Sequence, residues 1–138
     1  MARRPWQPVL DHLRSLAARR DLSASDAELL SQFIAERDED AFASLVHRHG
    51  SMVLRVARRI VGNDSDAEDV FQATFLLLAR RADAIRKREA VAGWLHGVAH
   101  RLALSARAQR IRHQNVERRA AETRQVQASP EAAWNELE

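Results

Sequence analysis

His96 and His100 stand four residues apart, a spacing that lets two imidazoles on one helix face hold a metal ion. No glutamate follows the first histidine, however, and the chain has no cysteine to supply a thiolate. His47 and His49, in "VHRH", are no better placed. There is no nucleophile elbow, no Gly-rich phosphate loop and no carboxylate pair in an apolar setting. The acids cluster at helix starts, where capping and the helix dipole account for them. The expectation is therefore a protein that is not an enzyme and holds no metal or cofactor.

What remains is chemistry of binding. The net charge of +3 conceals a segregation: residues 1–20 carry +4, residues 21–79 carry −6, residues 80–124 carry +8 and residues 125–138 carry −3. An acidic half beside a basic half speaks of two different surfaces, although arginine-rich helices can also simply be solvated. Arg86, Lys87 and Arg88 form a run of three cations, and Arg101, Arg107, Arg110 and Arg112 follow on a helix that also carries His96 and His100. A cationic loop ahead of an Arg/His helix face is what phosphate contacts require, and arginine can also stack on bases or bind them bidentately.

The elements that position these residues are all helical. At 138 residues, with four Gly, three Pro and no Tyr, the chain has the size and composition of one all-α domain. "MARRPWQPVLDHL" has no apolar run long enough for a signal peptide or a membrane span, so a cytoplasmic protein off the membrane is expected. A short helix is expected over Pro8 to Arg20. A second follows from Asp26 to about Arg37, capped by Ser25 with Glu28 three residues on. Phe42, Leu45, Val46, His49, Met52, Val53, Val56, Ala57 and Ile60 then keep helical spacing up to a stop at Gly62 and Asn63. Ser65 and Glu68 form another capping box, for a helix running to about Arg81. A charged connection leads to a last helix starting near Glu89, with Val91, Trp94, Leu95, Val98 and Leu102 inward. Beyond Arg107 the apolar pattern fades into a helical extension or a linker, and Ser129 with Pro130 reads as a fresh helix start. The fold expected is a small helical bundle of about four core helices.

The helix "DAEDVFQATFLLLARR" has two sides. Stepping about 100° per residue places Val70, Phe71, Thr74, Leu77 and Leu78 on a core face. Asp69, Gln72, Ala73, Leu76 and Arg80 gather opposite, with Phe75 and Ala79 at the edge. An apolar centre among polar groups is the make-up of a protein-binding strip. Single exposed apolar residues are also ordinary, and the residues alone leave the two readings level.

Taken together, "DEDAFASLVHRHGSMVLRVARRIVGN", "DAEDVFQATFLLLAR", a basic loop and "GWLHGVAHRLALSARAQRIR" resemble, in that order, region 2 of bacterial sigma factors of the extracytoplasmic-function type. The match runs from about Asp26 to Arg112. It rests on an acidic helix start followed by Asp-x-x-Gln and an aromatic-aliphatic run, and on Trp-Leu, a two-residue gap and Val-Ala in a helix ending in arginines. The resemblance implies that the Asp-x-x-Gln helix binds the clamp helices of the largest subunit of core RNA polymerase, through Asp69, Gln72, Phe75, Leu76 and Ala79. It implies that the loop Arg86, Lys87, Arg88, Glu89 and Ala90 captures a flipped base of the non-template strand of the promoter −10 element. The next helix would contact that DNA through His96, His100, Arg101, Ser105 and Arg107. An anti-sigma factor is a further partner that the family allows.

Three departures qualify the likeness. The family commonly has an acid directly after the Gln, where this chain has Ala73. Many members carry aromatic residues in the loop and helix, where this chain has Val91, Ala92 and His96, so melting would rest on base capture and backbone contacts. Family members usually continue into region 4, which reads the −35 element. The expectation is thus an N-terminal extension over 1–24, a region 2 domain over 25–112, and over 113–138 a linker with the start of a region 4 that this chain does not include. The competing reading is a helical nucleic-acid-binding regulator that acts without polymerase.

Overall fold

The computed structural model describes residues 8–9 and 24–128. The helix expected over Pro8 to Arg20 therefore lies outside the described residues except for Pro8 and Val9, which are helical, and the helix start at Ser129 lies outside them too. Four helices follow: α1 (Asp26–Glu36), α2 (Glu39–Val61), α3 (Asp64–Arg81) and α4 (Val91–Ala128). Two 3₁₀ turns, Ala82–Ala84 and Arg88–Ala90, lie between α3 and α4. No strand occurs among the described residues, and the all-α bundle expected from composition and periodicity is what forms.

The chain divides into two units, residues 1–104 and 105–138. In the first, two short connectors use the same device. Arg37 closes α1 in the left-handed region (φ 52°) with its N–H on the Phe33 carbonyl, and Asp38 opens α2 by accepting from the N–H groups of Asp40 and Ala41 at 3.0 and 3.3 Å. Gly62 closes α2 at φ 75° with its N–H on the Arg58 carbonyl, and Asn63 opens α3 by accepting from the Asp66 N–H at 2.8 Å. A glycine adopts that backbone freely, whereas Arg37 bears strain of about 1 kcal/mol or more for it.

The α1 start is as expected: Ser25 Oγ accepts from the Glu28 N–H at 3.1 Å. The α3 start is not. Asn63, not Ser65, is the cap, and its amide returns a bond to Asp66 Oδ2 at 3.0 Å. Both Asn63-x-x-Asp66 and Ser65-x-x-Glu68 have capping chemistry. The earlier pair wins because Gly62 ends α2 immediately before it and leaves no residue for a longer loop.

One core joins α1, α2, α3, the connection and the first turns of α4. Leu29, Leu30, Leu45, Val53, Leu78, Val91 and Leu95 are fully buried within it. Helix α2 is buried on more than one side near its start, where Ala41, Ala43, Leu45 and Val46 are all enclosed. Gly50 continues that run, and a Cβ there would lie 3.2 Å from the Phe71 ring, so glycine permits a close approach of α2 to α3. Asp26 joins α1 to α2 by accepting from Arg48 at 3.0 Å and meeting His49 Nε2 at 2.9 Å. Trp94 is only half-buried, packed against the edge of the core rather than inside it.

Candidate functional site

Helix α3 carries a strip that the fold leaves unused. Asp64 pairs with Arg58 at 3.1 Å and Asp66 is tied into the Asn63 cap, so the first acids of α3 serve the fold. Asp69 and Gln72 are exposed and make no hydrogen bond or ion pair with the described residues. Leu76, one turn further, is 55% exposed, and Ala73 and Ala79 are half-buried beside it. Asp69, Gln72, Leu76 and Ala79 thus share one face at i, i+3, i+7 and i+10.

Phe75 does not belong to that face, contrary to the edge position expected for it. It is 5% exposed, with its ring 5.0 Å from that of Phe71 at a tilt of 58°, and it packs in the common core. Leu77, expected inside, is half-exposed instead. The buried arc of α3 runs through Val70, Phe71, Thr74, Phe75 and Leu78, so the helix is rotated from the orientation that spacing alone suggests, toward Phe75 and away from Leu77. Gly50 lets α2 approach that arc at Phe71.

The basic connection is anchored by two apolar residues, Ala82 and Ile85, which are 2% and 8% exposed. Beyond them Arg86, Lys87, Arg88, Glu89 and Ala90 are all exposed. Two residues that the sequence reading passed over bind this segment from α1. Arg37 donates from NH1 to the Ala79 carbonyl at 3.0 Å while its guanidinium lies 4.8 Å from the centre of the Phe33 ring. Ser31 Oγ accepts from Arg88 at 2.7 Å. A shallow cleft of about 270 Å³ lies there, lined by Ile34, Arg37, Ala79, Arg80, Ala82 and Asp83. The only cue to Arg37 was its place as the one cation in the acidic run "ERDED"; a partner 42 residues away has no local signature.

In the first unit, α4 buries Val91, Leu95, Val98, Ala99 and Ala103 and leaves His96, His100 and Arg101 exposed. The two imidazoles lie parallel within 8°, with centroids 6.5 Å apart. No group of three or more His, Asp or Glu residues that could hold a metal occurs among the described residues. In the second unit, Ser105 and Arg107 are exposed, and so is every residue from 107 to 126. The stretch beyond Arg107 is helical as far as Ala128, and i, i+4 pairs join His113 to Glu117 at 3.0 Å and Arg118 to Glu122 at 3.9 Å. No helix among the described residues is long and apolar enough to cross a membrane.

These features suit association: an unpartnered acid, amide and leucine on α3, and a cationic stub leading into an imidazole- and arginine-bearing helix. No curated protein and no solved structure matches the chain. The family model for sigma-70 region 2 does match, over residues 45–113, half of the chain. That span takes in most of α2, all of α3 with its exposed strip, the basic connection and the start of α4, and on it the chain belongs to the sigma-70 region 2 family.

Proposed function

We propose that the chain is the region 2 module of a sigma factor of the extracytoplasmic-function type, docking on the clamp helices of core RNA polymerase through α3 and engaging the non-template strand of the −10 element through the basic connection and α4. Family membership carries the coarser role, that of a sigma factor domain in RNA polymerase binding and promoter recognition. The observation that carries the finer assignment is the exposed, unpartnered state of Asp69 and Gln72 beside Leu76. In this reading Ala79 closes the strip, and Phe75 supports Leu76 from beneath instead of meeting the partner. Ala73, where an acid is common in the family, makes the contact more apolar.

On the nucleic-acid side, Arg86, Lys87 and Arg88 supply phosphate contacts, and the backbone at Glu89 and Ala90 borders the captured base. His96, His100 and Arg101 face the same DNA, and Ser105 and Arg107 are exposed candidates on the second unit. Melting follows from equilibrium binding: an extruded base held by the protein offsets the cost of unpairing, with no covalent step. Mixing the protein with core polymerase and following co-elution tests the first half. Binding of the resulting complex to −10 single strands, compared with scrambled ones, tests the second. A protein that binds duplex DNA without polymerase and without strand preference is instead a stand-alone regulator.

A further inference from the structure

The connection between α3 and α4 looks in sequence like a solvated charged loop, yet it is held at both ends by the same helix. Just ahead of it, Arg37 at the end of α1 grips the carbonyl of Ala79, in the last turn of α3 before the first 3₁₀ turn, at 3.0 Å. At its end, Ser31 of α1 holds Arg88 at 2.7 Å, at the first residue of the second 3₁₀ turn. Ser31 on α1 and Arg37, the residue that caps that helix, lie six positions apart, and between the two gripped points Ala82 and Ile85 are buried. Arg37 is itself committed to this position: its guanidinium lies over Phe33, a core residue, and its backbone occupies the left-handed region. What the two bonds leave outward is the pair Arg86 and Lys87, whose side chains form no hydrogen bond or ion pair with the described residues.

We infer that Ser31 and Arg37 are positioning residues that hold the basic connection in place and so set where Arg86 and Lys87 meet a nucleic-acid strand. The inference deepens the reading above and rests on it for the identity of the ligand. Cations presented on a stub of fixed shape bind phosphates without first losing loop entropy, whereas the same cations on a free loop must be ordered on binding. It also divides the three cations. Arg88 spends one N–H on Ser31 and keeps its other donors for phosphate, so it serves as anchor as well as contact. Helix α1 thereby influences strand binding without touching the strand.

The chain has no cysteine, so a single one introduced by Lys87→Cys takes a nitroxide spin label at one defined site. In the otherwise unaltered 138-residue chain the label should show restricted motion. Adding Ser31→Ala with Arg37→Gln should narrow its spectrum toward that of a mobile loop, while helical circular dichroism is retained. Ser31→Thr, which keeps the hydroxyl, should leave the label restricted. In unlabelled protein bound to core polymerase, the Ser31→Ala, Arg37→Gln pair should weaken binding of a single-stranded −10 oligonucleotide by about three- to tenfold, the scale of two lost exposed hydrogen bonds. Its affinity for polymerase should not change. A label equally restricted with and without the two substitutions overturns the inference. So does a mobilised label with unaltered strand binding. If the parent protein binds polymerase but no strand, the nucleic-acid assignment fails, and the label spectra still decide whether α1 holds the connection.

Discussion

Phe75 and Leu76 are neighbours in the chain and stand on opposite sides of the packing boundary of α3: Phe75 is 5% exposed against Phe71, and Leu76 is 55% exposed. Their substitutions should separate stability from binding. Phe75→Ala should cost about 3–4 kcal/mol in chemical denaturation, because it empties a core position. Leu76→Ala should stay within about 0.5 kcal/mol of the parent in the same measurement, yet weaken binding of core polymerase by about tenfold or more. A Leu76→Ala protein that binds polymerase as tightly as the parent removes Leu76 from the interface.

Asp69 and Gln72 have no partner within the described fold, so altering them should leave it intact. Asp69→Lys with Gln72→Ala should abolish co-elution with core polymerase, a loss of about a hundredfold or more for reversed charge at an interface. Helical circular dichroism should be unchanged. Retained binding would sink the assignment of this strip.

At the crossing of α2 and α3, Gly50 balances two effects. Alanine is the better helix former by about 1 kcal/mol, but its Cβ would sit 3.2 Å from the Phe71 ring. Gly50→Ala should therefore be close to neutral in thermal melting, as the ring edge shifts by a few tenths of an ångström. Gly50→Val adds two methyl groups at the same place and should destabilise by about 1–3 kcal/mol.

The start of α3 offers a direct comparison of two candidate caps. Asn63→Ala should lower stability by about 1 kcal/mol, since it removes the acceptor for the Asp66 N–H and the return bond to Asp66. Ser65→Ala, at an exposed position inside the helix, should change stability by less than about 0.5 kcal/mol. Equal costs in urea titrations would restore Ser65 as a cap.

Arg86→Ala and Lys87→Ala are expected to weaken strand binding across sequences rather than to change preference. Each should reduce the slope of log K against log salt by about 1, the signature of one lost phosphate contact. An unaltered slope for both would mean that the stub faces solvent only.

Periodicity and composition were enough for the helical class, for the bounds of α1 to within a residue, for the Gly62 stop and for most of the core, because those depend on interactions within a few residues. The exposed strip at Asp69, Gln72 and Leu76 was legible for the same reason: a helix converts spacing into sidedness. Rotation of that helix in the bundle was not legible. Whether Phe75 or Leu77 lies inside depends on how the neighbouring helices pack against α3, and those neighbours are distant in the chain: α2 meets Phe71 at Gly50, 21 positions upstream. The choice of Asn63 over Ser65 likewise followed from where α2 stopped, not from the caps themselves. Least legible was the bracing of the basic connection by α1. Ser31 meets Arg88 across 57 residues and Arg37 meets the Ala79 carbonyl across 42, and the latter acceptor is a backbone group that every residue possesses. Sequence settled which residue types stand on which helices, since that is local chemistry. Tertiary packing alone decided which of them are left free to bind, since burial and long-range hydrogen bonds depend on what the rest of the chain brings alongside.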